Sequence, residues 1–168
     1  MPVAIDFSKL DLMDALDLAI LIEIEALERY RQFASQLGHT YTGDPASVFA
    51  MMVKSEAKHA DELSQRREAL FGDAPMRVKK TALYDVEAPN AGVVRWNMST
   101  LHAFEIALAA ERKAYDFYDQ ALPYVNNEQV RTLFVELRDE ETEHIELVEQ
   151  GIAKLPAHAA MELEDQDA

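Results

Sequence analysis

Two segments of this chain carry the same four residues at the same spacing, and each places an acid in the middle of an apolar stripe. Ala19, Glu23, Ala26 and Tyr30 make the first set; Ala107, Glu111, Ala114 and Tyr118 make the second. Offsets of four, seven and eleven residues return to one face of an α-helix, so each Glu sits among Ala and Tyr on the side that should be buried. A buried carboxylate is costly unless it is paired or holds a metal. The fold must therefore bring two such helices together around something that absorbs their charge.

The rest of the pattern is helical as well. Over residues 11–37, apolar side chains such as Leu12, Leu16, Ile20, Leu27, Phe33 and Leu37 recur at three- and four-residue spacing, and Gly38 supplies a stop. Asp44 as a cap, with Pro45 at the first helical position, predicts a second helix over residues 45–71, closed by Gly72. Ser99 caps a third that runs to about residue 122, before Pro123, and a fourth spans about 128–154. Only five Gly and six Pro interrupt the 168 residues.

Residues 73–98 break the periodicity with Pro75, Pro89, Asn90 and Gly92. A connection that long is either functional or has to travel far. Climbing a bundle means about 40 Å, at ~1.5 Å per helical residue. The fold class is all-α: an antiparallel four-helix bundle of two helical hairpins joined by a long crossover. One domain covers residues 1–154, followed by an acidic, frayed tail over 155–168. The Met residues and most aromatics read as core packing.

The second and fourth helices add a motif of their own. Glu56 and His59 share a stripe with Phe49, Met52 and Leu63; Glu141 and His144 share one with Phe134, Leu137 and Val148. A step of three residues lets both side chains reach one point. Together with Glu23 and Glu111 they make four carboxylates and two imidazoles, the set with which four-helix bundles hold two metal ions. Four carboxylates offset two divalent ions, which is how so much negative charge can be buried. The chain has no Cys. Thiolate chemistry is excluded, and imidazole with carboxylate suits iron or manganese, with zinc allowed. The competing reading is a metal-free network of hydrogen-bonded Glu and His. His39, His102 and His158 fall in a loop, near a helix start and in the tail, and are read as surface residues.

Formal net charge is −15. Such a surface repels phosphate backbones and draws cations, so no nucleic-acid partner is expected. The opening "MPVAIDFSKL" lacks a basic patch followed by an apolar run. The segment "LDLAILIEIEAL" carries Asp17, Glu23 and Glu25 and is too short for a bilayer. No membrane association and a cytoplasmic address are expected.

Over roughly residues 11–154 the chain resembles the ferritin-like superfamily and, within it, the rubrerythrin-like group. "EIEALERYRQFAS" looks like the first-helix motif of rubrerythrins, which favours Glu23 as the ligand over Glu25 and Glu28. "SEAKHADEL" and "LRDEETEHIELVE" look like ligand-bearing helices shared with bacterioferritins. The resemblance implies a ferritin-like bundle with a non-haem di-iron centre, reacting with hydrogen peroxide or with Fe(II) and dioxygen; the alternative is a non-catalytic iron-binding or metal-transfer module. Tyr30 and Tyr118 would lie behind the ligands, able to hydrogen-bond their carboxylates; the equal alternative is that they are buried amphipathic packing residues.

The sequence departs from the family pattern in places. Rubrerythrins carry an extra Glu one turn after the third-helix ligand, where this chain has Ala114, so a symmetric six-ligand site is expected. It lacks a four-Cys rubredoxin domain, so electrons would come from a separate donor protein or from Fe(II). Ala57 stands where bacterioferritins place a haem-binding Met, and the tail is a poor fifth helix, so no large storage shell is expected. A homodimer, domain-swapped where the crossover hands the second hairpin to a neighbour, is the expected assembly.

Overall fold

Each long helix starts where a short polar side chain can accept from amides that have no partner within the helix. In the computed structural model, which describes residues 5–38, 41–79 and 86–160, Asp11 caps α1 (Leu12–Leu37) and Asp44 caps α2 (Pro45–Phe71). Ser99 caps α3 (Thr100–Ala121), and Asn127 caps α4 (Glu128–Ala153). Gly38 and Gly72 end the first two helices with φ of 65° and 59°, a backbone turn that a side chain would strain.

α1 packs along α2, and α3 along α4; the two hairpins then meet, chiefly through α2 and α3. This is the four-helix bundle of two hairpins joined by a long crossover that the periodicity predicts. The crossover makes the predicted climb. Near its start Arg77 pairs with Asp11 and Asp14, at the beginning of α1. Farther on, the carbonyls of Ala88 and Pro89 accept from Lys113 and Arg29, and the hydroxyl of Thr100 donates to the carbonyl of Gly43, beside the turn into α2.

The apolar core is divided in two. One cluster gathers Leu16, Leu18, Ile22, Phe117, Tyr118, Leu133 and Phe134; the other gathers Tyr30, Phe33, Phe49, Met52, Met98 and Ile106. Burying each such side chain is worth about 1.5–3 kcal/mol. Between the clusters lies a layer of acids, because Glu23 falls between Ile22 of the first cluster and Ala26 of the second.

Two details differ from expectation. Met13, Met52 and Met98 are buried, but Met51 and Met76 are 47% and 46% exposed. Past Pro156 the chain forms a short 3-10 turn, Ala157–Ala160, that packs on α3 and buries Ala159, so this part of the tail is not frayed. His39 and residues 161–168 lie outside the described residues. No described helix is long and apolar enough to cross a membrane.

Candidate metal centre

The six side chains singled out by the two repeats converge. Glu23 from α1 meets Glu56 and His59 from α2, with one potential ligand atom from each within 4.8 Å of the others; Glu111 from α3 meets Glu141 and His144 from α4 in the same way. The halves touch through their imidazoles. The two Nε2 atoms are 3.2 Å apart, and the rings stack with centroids 4.4 Å apart. His144 Nδ1 lies 3.3 Å from Glu111 and 3.5 Å from Glu141, while His59 Nδ1 lies 3.9 Å from Glu23. Glu28 is exposed and Glu25 half-buried, outside the cluster; His102 and His158 are outside it as well.

Beside the six expected residues the structure places one more acid. A fifth carboxylate, Glu87, enters from the crossover and is fully buried. It lies within ligand spacing of Glu23 and Glu141, and again of Glu56 and Glu111. Sequence reasoning missed it because "DVEAPN" has no helical period to place a side chain on a face. The only signal was one acid flanked by Val86, Ala88 and Pro89, all of which prove buried.

The acids are short of donors. Among the described residues, neither oxygen of Glu56 or of Glu87 has a hydrogen-bond partner, nor does one oxygen each of Glu23, Glu111 and Glu141. Buried polar groups are nearly always satisfied, so this many orphans in one layer is the signature of a missing positive partner. Burial first, and then neighbouring carboxylates, pushes Glu56, Glu87 and Glu141 well above the ordinary carboxylate range. Burial holds Glu23 at about 7. Burial also works to raise Glu111, but the nearby imidazole of His144 outweighs it and the carboxyl is lowered. His59 is lowered by burial. Burial opposes the proton on His144 too, yet its contact with Glu111 prevails and raises it.

Tyr30 and Tyr118 flank this layer but do not hydrogen-bond its carboxylates, as their expected role required. Both hydroxyls are buried without a partner. Tyr30 stacks on Phe49, and Tyr118 packs edge-on against Phe117 and Phe134. Burial and the surrounding carboxylates raise both phenols well above their ordinary value. They act as apolar walls.

A cavity of about 230 Å³ connects the centre with the surface between α2 and α4. Glu111 and His144 line its buried end, Met52 and Val148 its sides, and the exposed Met51 and Leu147 its mouth.

Comparison with known proteins bears on the family and the fold. The family model described as Rubrerythrin matches residues 14–150. Among solved structures, an uncharacterized conserved protein from Magnetospirillum magnetotacticum is 28% identical, with a TM-score of 0.66 over 88% of this chain and 97% of that one. A hypothetical protein from Pyrococcus furiosus is 20% identical, with a TM-score of 0.57 over 91% of this chain and 94% of that one, and shares the fold. A structure described as ferritin-like, diiron-carboxylate proteins from Bacillus anthracis is 20% identical, covering 84% of this chain and 94% of that one at a TM-score of 0.49. No curated protein matches.

Proposed function

Because the chain belongs to the rubrerythrin family, we propose that it is a non-haem di-iron oxidoreductase that reduces hydrogen peroxide. The observation that carries this reading is the pair of buried Glu, Glu, His triads whose carboxylates lack donors. Glu23, Glu56 and His59 would hold one ion; Glu111, Glu141 and His144 would hold the other. When bound, an iron pair supplies the two electrons that, with two protons, convert hydrogen peroxide to two waters.

The protein's part is geometry and shielding. Tyr30, Phe49, Tyr118 and Phe134, all fully buried, keep bulk water from both sides of the acid layer. The mouth formed by Met51 and Leu147 is apolar, so a small uncharged oxidant enters more readily than a hydrated cation. These 168 residues hold no Cys, so no thiolate-bound relay within them can carry the electrons. Oxidation of Fe(II) by dioxygen is the second reading, favoured by a net charge of −15 that draws cations to the surface.

Anaerobic loading with Fe(II), followed by rapid mixing with hydrogen peroxide or dioxygen, tests both. The expected result is retained iron whose absorbance changes faster with peroxide than with dioxygen. In Glu111→Ala, iron affinity should fall by about 100-fold or more, since even groups behind the ligands are worth ~10–100-fold. A wild-type protein that retains no iron would end the proposal.

A further inference from the structure

Glu87 is the acid that neither repeat accounts for. Residues 86–89 are buried in succession, which is unusual for a connection that normally runs over the surface. The reason is local. Val86 belongs to one apolar cluster and Ala88 to the other, so the segment crosses the acid layer with Glu87 in the gap between them. Two cations hold it there from outside: Lys113 Nζ donates to the carbonyl of Ala88 at 2.6 Å, and Arg29 donates to that of Pro89. Lys113 acts on the Glu87 carboxylate only through its charge, and among the described residues neither carboxylate oxygen has a hydrogen-bond partner.

We infer that Glu87 is a seventh metal ligand, delivered to the centre by the crossover rather than by a helix. This rests on the metal-binding reading above. Its place between the halves supports the assignment. The two groups it joins each take one acid from either hairpin, Glu23 with Glu141 and Glu56 with Glu111. Ligand atoms on opposite sides of an ion with bonds of ~2.0–2.2 Å stand about 4.4 Å apart. The 4.8 Å spacing within which these acids already lie needs only a small contraction. The third helix offers no extra acid here, since the residue one turn beyond Glu111 is the buried Ala114. A structural role fits poorly: a buried acid with no donor opposes folding, and a short apolar side chain would fill the gap better.

The test uses Zn(II), which has no redox chemistry to confuse the readout. Anomalous diffraction from Zn(II)-loaded wild-type crystals should place a Glu87 oxygen within the ~2.0–2.2 Å of a zinc–carboxylate bond. Titration should show Zn(II) binding weakened by about tenfold or more in Glu87→Gln. Circular dichroism of the metal-free variant controls for folding, and the wild-type diffraction decides alone should the variant fail to fold. Zinc held by the other six residues with Glu87 outside bonding distance overturns the inference and leaves the proposed function standing. Wild-type protein that binds no zinc in titration or crystal, and no iron, overturns both.

Discussion

Two regions of this bundle bury carboxylates, and they handle the charge in opposite ways. Asp17 in α1 meets Arg67 in α2 through two parallel bonds, Nε to Oδ1 at 2.8 Å and Nη2 to Oδ2 at 3.2 Å. The same guanidinium donates to the carbonyls of Gly72 and Ala74, so it also ties down the end of α2. Less than two helical turns along α1, Glu23 lies within ligand spacing of Glu56, Glu87, Glu141 and His59, with no guanidinium or ammonium bonded to it among the described residues. The first arrangement is complete within the protein. The second is complete only with something added, and that difference separates a structural ion pair from a binding site.

The comparison can be broken by experiment. The largest effect is expected from Asp17→Ala, which strands the guanidinium of Arg67. Thermal unfolding followed by circular dichroism should show Tm lower by about 10 °C, while iron stoichiometry after dialysis stays at the wild-type value. Loss of iron binding along with stability would mean that the two regions are one unit.

A smaller effect comes from pH on the metal-free protein. Glu23, Glu56, Glu87 and Glu141 have folded-state pKa values above the ordinary 4.5, with Glu23 at about 7. Above pH 4.5 the folded state therefore holds more protons than the unfolded one, and stability falls as pH rises. His144, raised from 6.5, pulls in the same direction at higher pH; the lowered His59 opposes it below about pH 6.5 but is one group against four raised acids, and the lowered Glu111 acts only in more acidic solution. Tm should thus drop by several degrees between about pH 5.5 and pH 8 without metal. Bound metal should cancel the drop, because it takes the place of those protons. A flat profile without metal would mean that the acids have found partners in solution.

The smallest effect is expected from Tyr30→Phe. Its hydroxyl is buried without a partner, so deleting it should change Tm by no more than about 2 °C, and toward higher stability, in a scan of the metal-free protein. A clear loss would show that the hydroxyl does bond a carboxylate.

How much of this was legible in the sequence depends on distance along the chain. The starts of α1 and α3 lie one residue past their capping Asp11 and Ser99, and α2 and α4 start at Pro45 and Glu128, because caps, Pro and Gly act locally. Glu23, Glu56, His59, Glu111, Glu141 and His144 could be grouped because helical spacing fixes faces, and the internal repeat fixed which faces correspond. Asp17 looked like mere polarity in an apolar run, since its partner is 50 residues away. Glu87 had no period to betray it. Tyr30 and Tyr118 were placed on the right stripe, but a stripe says nothing about where a hydroxyl points.

The layer of acids has a consequence for how the bundle comes apart. Helices ordinarily loosen from their tips, where hydrogen bonds are fewest. Here the well-packed material lies toward both ends and the weakest cross-section at the waist, where like charges face one another. A metal-free chain at neutral pH would open first in its middle turns, and an ion bound there would close the breach from within.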